Sequence, residues 1–347
     1  MKIQDLFKQA VDNKASDIHL VVGLKPVIRI DGQLKVLDKE DKVTNKDLQE
    51  EAFSILNEQQ KKRFLSEYDF DFSYALKSGE RFRVNLHYEK NNIGLVARII
   101  QEEKPALEDI GMPEITQDLL QSRQGLILVT GPTGCGKSTT LSSMIQYINN
   151  NRRCNIITLE DPIEFLFHPE KSIIIQRQLG SDMTSFASGL KHVLRQDPDV
   201  VMVGEMRDLE TIAATITLAE TGHLVLATLH TYSAAQTVDR MIDIFPPHQQ
   251  SQIRSQISNT LKAVFSQRLL TRSDDQGRIA AREIMINNPA IANLIRENKI
   301  AQIKNTIETS KEKGMITMDS DIKNLYKEKI VDKDEAKSNM HNPDSLK

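Results

Sequence analysis

The sequence predicts an α/β protein of two domains, an α+β domain over residues 1–100 and a second α/β domain over residues 113–347. The chain of 347 residues is longer than one average domain. Before residue 100, three segments alternate apolar and polar residues, as the strands of an antiparallel sheet do. After residue 113, short apolar segments alternate with helical ones, which is typical of a parallel sheet covered by helices.

The first domain is expected to begin with a helix near residues 3–14 and to contain a second helix near 44–66. The segment VIRIDGQLKVL between them predicts two strands that turn at Asp31-Gly32. The three alternating segments that follow are DFDFSYAL, ERFRVNLHYEK and NIGLVARII. Turn residues separate them, so they predict a meander of antiparallel strands.

A change of composition after Ile100 predicts the end of this domain. The polar, proline-containing stretch QEEKPALEDIGMPE is typical of a connection between domains. We assign residues 101–112 to a linker.

The second domain is predicted to hold five strands and a helical C-terminal part. The strands are expected at LILVT, NIITLE, SIIIQ, VVMVGE and HLVLATLH. From about residue 246 the pattern is helical, with one strand-like interruption at RIAAREIMI. The polar tail from Val331 onward is expected to be loosely held.

Composition excludes several classes of protein. The 45 basic and 48 acidic residues give a net charge of −3 without a dense basic block, which argues against a nucleic-acid partner. Only Cys135 and Cys154 are present, so neither a disulfide framework nor a four-cysteine zinc site is expected. The N-terminus lacks signal-peptide character, and no apolar run approaches the ~20 residues needed to span a bilayer. We therefore expect a cytoplasmic protein without a transmembrane segment.

A phosphate-binding loop is the strongest chemical signal in the sequence. It follows the strand LILVT, precedes a helix-like segment and matches G-x-x-x-x-G-K-[ST]. In this pattern Lys137 reaches the β- and γ-phosphates and Ser138 binds Mg²⁺, while backbone N–H groups and the helix N-terminus attract anions. The loop predicts that a nucleoside triphosphate is bound by Gly131, Pro132, Thr133, Gly134, Cys135, Gly136, Lys137, Ser138 and Thr139.

Carboxylates at the ends of two further strands are candidates for the chemistry. In TLEDPIEF, Glu160 and Glu164 could hold Mg²⁺ or its waters, although a polar turn begun by Asp-Pro is the alternative. In DPDVVMVGEMRD, Glu205 closes a short apolar strand and is the candidate general base for the water that attacks the γ-phosphate. Either Glu160 or Glu205 could assist Ser138 at the metal through water.

Two histidines bracket the strand in TGHLVLATLHT. His223 and His230 are an odd number of residues apart, so strict alternation places their side chains on opposite faces. His230, at the strand's C-terminal end, is the candidate for sensing the γ-phosphate or linking sites. For His223 a structural hydrogen bond is an equally good interpretation.

Together, these four segments in this order resemble the ATPases of type II secretion and type IV pilus systems, and most closely the PilT-like pilus retraction ATPases. The N-terminal phrases ASDIHLVVGLKPVIRIDGQL and ERFRVN resemble that family's N-terminal domain. AIANLIRE at 290–297 resembles its AIRNLIRE element, with Ala292 in place of arginine. Assembly and secretion ATPases typically carry an additional N-terminal region and a four-cysteine zinc element. This sequence has neither, so the resemblance favours retraction and implies no zinc.

The resemblance implies a homohexameric motor that hydrolyses ATP with Mg²⁺ to drive pilus retraction and twitching motility. It implies a PAS-like N-terminal domain and a RecA-like ATPase domain with a helical C-terminal part. Arg81, Arg83 and also Arg98 would approach the phosphates as the domains close. The implied partners are other copies of the chain, an inner-membrane platform protein and a related pilus ATPase, at the cytoplasmic face of the inner membrane. An accessory retraction ATPase, a pilus-assembly or type II secretion ATPase, and a low-turnover nucleotide-dependent regulator remain alternatives.

The AIANLIRE element is a candidate for force transmission. Ile291, Leu294 and Ile295 form one apolar stripe on a helix. The stripe could pack on its own domain, or it could dock on a moving neighbour. Ile291, Leu294 and Arg296 are the residues assigned to the second role.

Overall fold

The computed structural model describes residues 2–30, 32–100, 104–274 and 277–346. Its contacts divide the chain into two compact units, Met1–Glu102 and Glu103–Lys347. Of the predicted linker over 101–112, residues 101–103 lie outside the described residues. Residues 104–112 pack with the second unit, because Leu107 and Met112 are buried in its core.

The first unit is a six-stranded antiparallel sheet with three helices. The strands lie in the order β3-β2-β1-β6-β5-β4, and β4, β5 and β6 form the predicted meander. Their bounds are β1 Asp17–Leu20, β2 Val27–Ile30, β3 Gln33–Val36, β4 Asp69–Ala75, β5 Arg81–Glu89 and β6 Asn92–Ile99. The helices are α1 Ile3–Asp12, α2 Asn45–Ser54 and α3 Glu58–Glu67.

Helix α1 covers the apolar face of this sheet. Its buried residues, Ile3, Leu6, Phe7 and Ala10, recur at helical spacing and so form one stripe. The Phe7 ring stacks on Phe82 of β5 with 4.4 Å between ring centroids. This packing places the neighbours of Phe82 along β5 on the opposite face of the sheet.

The single helix predicted near 44–66 is wrong, because the chain breaks there into α2 and α3. The Asn57 side chain accepts a hydrogen bond from the Gln60 backbone, and the Gln60 side chain accepts one from the Asn57 backbone, at 2.9 Å each. This reciprocal cap starts a new helix.

The second unit is built on a seven-stranded sheet in the order β13-β12-β7-β11-β10-β8-β9. All neighbouring strands are parallel except β13, which is antiparallel to β12. The strands are β7 Gly125–Thr130, β8 Asn155–Glu160, β9 Ile173–Gln178, β10 Val200–Val203, β11 Leu224–Leu229, β12 Leu261–Thr271 and β13 Arg278–Ile286.

Ten helices accompany this sheet in the described part of the second unit. They are α4 Ile115–Leu120, α5 Lys137–Asn151, α6 Phe186–Val193, α7 Leu209–Glu220, α8 Ala234–Asp243, α9 Pro247–Thr260, α10 Pro289–Arg296, α11 Ile303–Thr309, α12 Met318–Lys327 and α13 Lys333–Asn339. Short 3₁₀ turns lie at Ile300–Gln302, Lys311–Lys313 and Pro343–Ser345.

Both faces of the central strands are buried, which explains their continuous apolar sequences. Along β7, Leu126 and Leu128 belong to the core that includes α7 and α8. Ile127 and Val129 belong to the core that includes α5. The α/β fold predicted from the alternating pattern is therefore confirmed, with the phosphate loop at the C-terminal end of β7.

Two expectations for the C-terminal part are wrong. Residues 261–271 form strand β12 rather than continuing a helix, because this segment pairs with both β7 and β13. The tail is not loosely held, since Val331, Ala336 and Met340 are buried in a cluster with Leu270 of β12.

Candidate active site

The backbone of the phosphate loop curls tightly between β7 and α5. Gly131 has φ of +142°, and a Cβ there would lie 2.3 Å from the carbonyl oxygen of Gln267, so no other residue fits without displacing backbone. Gly136 is the N-cap of α5 in the left-handed conformation, with φ of +86°. These conformations favour glycine and leave the start of α5 available to an anion.

Lys137, the first residue of α5, lies folded over this loop. Its Nζ donates to the carbonyl oxygens of Gly131 at 2.9 Å and Pro132 at 3.0 Å. Burial lowers the pKa of Lys137, while the charges of Cys135, Glu205 and Glu164 act in the opposite direction. The loop therefore holds a half-buried ammonium group that is attracted electrostatically by two carboxylates of the predicted site, Glu205 and Glu164.

Gln267 of β12 supports the loop from below, and sequence reasoning missed it. Its Nε2 donates to the carbonyl oxygen of Cys135 at 2.7 Å, and its Oε1 accepts from the Thr140 hydroxyl at 3.0 Å. Next to it, Ser266 is joined to Thr130, the last residue of β7, by a hydroxyl–hydroxyl bond of 2.8 Å. A polar Ser-Gln pair inside an apolar segment was the signal that could have found it.

Glu160, the last residue of β8, is a buried carboxyl. Its Oε1 accepts from the Thr158 hydroxyl at 2.6 Å and from Gln176 Nε2 at 3.1 Å. Burial raises the pKa of Glu160 to about 7. Glu164 is exposed, and its backbone N–H and its charge both act on Glu160.

Glu205 lies just beyond β10, beside the end of β8. Gly204 N donates to the Leu159 carbonyl at 2.7 Å, and a Cβ at Gly204 would lie 3.3 Å from the Glu160 Cα. Gly204 therefore permits the close approach that brings Glu205 next to Glu160 along the sheet edge. The Glu205 carboxylate is mostly shielded, with a side-chain exposure of 13%, and it pairs with Arg207 at 2.6 Å.

His230 follows β11 and reaches the same carboxylate. Its Nε2 lies 3.4 Å from Glu205 Oε2, which joins the ends of β10 and β11. His223 precedes β11 at the other end of the strand, where its Nδ1 lies 3.0 Å from the Leu218 carbonyl oxygen. The two histidines therefore occupy different environments, and His223 makes the structural hydrogen bond.

The residues at this edge fit the coordination chemistry of Mg²⁺. Hard oxygen donors lie at the C-terminal ends of strands of one sheet: the hydroxyl of Ser138 at the start of α5, which follows β7, and the carboxylates of Glu160 and Glu205 at the ends of β8 and β10. Mg²⁺ at nucleotide sites keeps several waters and binds few protein groups. No three His, Cys, Asp or Glu side chains of the described ranges gather in a metal-binding cluster.

The predicted arginines lie on the polar face of the first unit's sheet. Arg81 and Arg83 flank the buried Phe82 on β5, so they share one face as expected. Arg83 lies 3.8 Å from Asp71, and Arg98 of β6 pairs with Asp17 at 2.8 Å.

The AIANLIRE segment forms α10, but much of its apolar stripe is core. Ile291 and Ile295 are fully buried within the second unit, while Leu294 is partly buried against the same core. Ile291 therefore cannot present a surface to a neighbour, contrary to its assignment to force transmission. Arg296 is exposed, and its Nη1 lies 3.4 Å from the Ser258 hydroxyl.

No helix within the described part of the chain has both the length and the apolar character that crossing a bilayer requires.

Comparison with known proteins supports the resemblance from end to end. The chain matches the model of the type II/IV secretion system protein family over residues 1–337. It is 41% identical over 346 residues to the type IV pilus retraction ATPase PilT of Pseudomonas aeruginosa, covering 100% of both chains. It is 43% identical over 321 residues to a twitching motility protein of Neisseria gonorrhoeae, covering 92% of this chain and 86% of that protein.

A solved structure agrees with these relatives. The crystal structure of the pilus retraction motor PilT with bound ADP has a TM-score of 0.93 and 42% identity, covering 100% of this chain and 99% of that chain. The chain therefore belongs to the type II/IV secretion system protein family and is a full-length homologue of the type IV pilus retraction ATPases.

Proposed function

We propose that this protein is a Mg²⁺-dependent ATPase motor that drives type IV pilus retraction and twitching motility. The observation that carries the proposal is the phosphate loop after β7 with Glu205 after β10 at the same edge of the sheet, in a chain homologous over its whole length to an ADP-bound retraction motor. The motor acts as a homohexamer in the cytoplasm, at the inner membrane. It pulls on an inner-membrane platform protein, alone or with a related pilus ATPase, and binds no nucleic acid.

ATP binding begins at the loop between β7 and α5. The loop's N–H groups and the Lys137 ammonium hold the phosphates, and Lys137 exchanges its carbonyl partners at Gly131 and Pro132 for phosphate oxygens. Ser138, with Glu160 or Glu205 through water, would hold Mg²⁺, which neutralises the charge that develops on the phosphates.

Hydrolysis then depends on Glu205 as the general base. Its carboxylate takes a proton from the attacking water, and His230 at 3.4 Å keeps the carboxylate oriented. The ion pair with the exposed Arg207 must open for the water to reach Glu205. Glu160 and Glu164 are the next candidates for the base.

Arg81 and Arg83 complete the site when the first unit closes on bound ATP. Their charge stabilises the transition state, as arginine fingers do. Release of phosphate reverses the closure, so that the chemistry moves the first unit. Helix α10 passes this movement on through the exposed Arg296 and the partly buried Leu294, while Ile291 anchors the helix in the core.

Two further functions are the alternatives. An accessory retraction ATPase or an assembly ATPase would share the nucleotide site but not the cellular role. A low-turnover regulator would bind nucleotide while Glu205 remained idle.

Steady-state ATP hydrolysis by the purified full chain with Mg²⁺ tests the proposal. We expect turnover that falls by about 10²–10⁴-fold in Glu205→Gln, because the amide keeps the side chain's shape but accepts no proton. Glu210→Gln, at an exposed position of α7, is the matched control and should keep the rate. If the unaltered protein shows no turnover, the result would favour a low-turnover regulator. If Glu205→Gln keeps full turnover, the general base would have to be Glu160 or Glu164 instead.

A further inference from the structure

A cavity of about 390 Å³ lies within the second unit, away from the phosphate loop. Its walls come from β13, from α12 with the 3₁₀ turn before it, and from the segment around Gly111. This volume falls in the range of small-molecule sites. The proposed nucleotide chemistry makes no use of it.

Arg282 of β13 lines this cavity, and the hydrogen-bond donors of its guanidinium are only partly satisfied. The residue is only 4% exposed. Its Nη1 donates to the Gly111 carbonyl at 3.2 Å, whereas its buried Nε has no hydrogen-bond partner among the described residues. A buried guanidinium with a free donor carries a desolvation penalty, so an anionic group in the cavity would be strongly attracted.

The acidic residue nearby, Asp321, also lines the cavity and attracts Arg282 electrostatically, but it forms no direct ion pair with the guanidinium. Asp321 of α12 accepts the backbone N–H of Arg282 at 2.7 Å, and no carboxylate oxygen in the described part of the chain lies within 4.0 Å of the guanidinium nitrogens. Lys311 at the rim adds a second positive charge, while Ile284 and Leu325 contribute apolar wall. The lining therefore suits an oxyanion on a short apolar body.

Strand pairing connects the cavity to the phosphate loop. Arg282 is directly paired with Gln267 in the β12–β13 register, and side chains of directly paired residues share one face of a sheet. Gln267 is the residue that holds Cys135 and Thr140 of the loop region. A shift of β13 at Arg282 can therefore reach Gln267 on the neighbouring strand β12, and through Gln267 it can reach the phosphate loop.

We propose that this cavity is a second binding site, which takes a small organic anion on Arg282 and alters nucleotide affinity through the Arg282–Gln267 pair. The anion carries a carboxylate or a phosphate on a short apolar chain. The site does not depend on the proposed motor function, since both anion binding and ADP binding can be measured without hydrolysis or pili.

Calorimetric titration of the full chain saturated with ADP tests the site, because ADP keeps the probes out of the phosphate loop. The probes are hexanoate and hexyl phosphate, which separate the two oxyanions, and hexanamide is the uncharged control. We expect saturable binding of at least one anion and none of hexanamide. Arg282→Gln should weaken binding by about tenfold or more, since a charge-assisted hydrogen bond is lost.

Further variants guard against misfolding and nonspecific charge effects. Asn324→Trp fills the cavity from its exposed rim and should abolish binding while the melting temperature is kept. Lys311→Ala should weaken binding, and Lys313→Ala, on the same exposed turn but outside the cavity lining, should not. Absence of saturable binding by both anions, or binding that survives both Arg282→Gln and Asn324→Trp, would overturn the site.

The link to the nucleotide is measured by titrating ADP with and without the anion that binds. We expect the ADP dissociation constant to change by roughly fivefold or more, as for coupled sites. An unchanged ADP affinity at saturating anion would overturn the coupling.

Discussion

Lys137 illustrates how single residues prepare the nucleotide site. The ammonium is half-buried, burial lowers its pKa, and its hydrogen bonds go to neutral loop carbonyls. Part of the desolvation that a phosphate contact requires has therefore already occurred in the folded protein. A charge-assisted bond formed here is stronger than one to a carbonyl, so phosphate should displace the loop carbonyls.

Replacement of Lys137 by alanine should weaken ADP binding by at least about tenfold, which corresponds to about 1.4 kcal/mol or more. The loss follows from removing the ammonium group that lies over the loop. Calorimetric titration with ADP measures the effect, and Lys191→Ala on the exposed face of α6 is the control. Equal affinities for Lys137→Ala and the unaltered protein would show that the loop does not bind phosphate in the proposed way.

At the scale of elements, strand β12 supplies a side chain, Gln267, that supports the phosphate loop and is not part of the loop motif. The motif supplies the loop residues, but the side chain beneath the loop comes from a strand distant in sequence. Gln267 bonds both the Cys135 carbonyl and the Thr140 hydroxyl. Its removal would leave these groups unsatisfied, which costs free energy when they are buried.

Gln267→Leu should therefore weaken ADP binding several-fold, because the loop loses its support while the core keeps its volume. Gln302→Leu, on the exposed 3₁₀ turn, should leave affinity unchanged. The same ADP titration, with circular dichroism to confirm folding, decides the matter. Unaltered binding by a folded Gln267→Leu protein would mean that the loop keeps its shape without β12.

A second element-scale prediction concerns Glu283 of β13. This buried carboxyl accepts the Ala234 N–H at 2.8 Å, at the start of α8, and burial raises its pKa above the usual value of 4.5. Between those two pKa values the folded state binds more protons than the unfolded state. Its contribution to stability is therefore present at low pH and is lost as the pH rises through the folded-state pKa.

Urea unfolding at a series of pH values from 4.5 upward measures this effect. The stability of the unaltered protein should fall with rising pH more steeply than that of Glu283→Gln, which cannot ionise. Glu308→Gln, on the exposed face of α11, should follow the unaltered protein. If the free energy of unfolding falls equally steeply with pH in the unaltered protein and in Glu283→Gln, Glu283 does not contribute to the pH dependence of stability.

Elements were predictable from sequence where local pattern and tertiary environment agree. The central strands β7, β8, β10 and β11 have both faces buried and therefore appear in the sequence as continuous apolar segments. Strand β12 was missed because Ser266, Gln267 and Arg268 interrupt its apolar pattern, and its strand form comes from pairing with β7 and β13. Asn57 and Gln60 carried a readable cap signal, which the single-helix interpretation overlooked.

The residues of the candidate site that belong to short continuous sequence motifs could be predicted from the sequence. The phosphate loop and Glu205 follow strands that the sequence reveals, and Glu160 ends another. The parallel pairing of β7, β11, β10 and β8 brings the ends of these strands to one edge of the sheet. Gln267 and the partnering of His230 with Glu205 depend on contacts between distant segments. The buried position of Ile291 likewise depends on α9 and α11 packing against α10, which a helical stripe alone does not specify.

At the scale of the whole molecule, the proposal requires the two units to act together. Arg81 and Arg83 belong to the first unit and the phosphate loop to the second. A role for these arginines in the transition state therefore predicts a kinetic effect that is separate from nucleotide affinity.

At least one of Arg81→Ala and Arg83→Ala should lower the turnover number while ADP affinity changes little. An arginine that arrives on closure stabilises mainly the charge that develops in the transition state. Arg63→Ala, which removes an exposed ion pair with Glu67 on α3 of the same unit, is the control. Normal turnover in both arginine variants would argue against closure over the phosphates.

Complementation of a piliated strain that lacks its retraction ATPase tests whether ATP hydrolysis by this chain retracts pili. Twitching and the number of surface pili are scored with the unaltered protein and with Glu205→Gln at equal expression. We expect the unaltered protein to restore twitching and to reduce the excess of surface pili, and we expect Glu205→Gln to do neither. Full restoration of twitching by Glu205→Gln would show that retraction does not need the proposed base. Failure of both proteins to restore twitching, despite folded hexamers, would show that this chain does not retract pili.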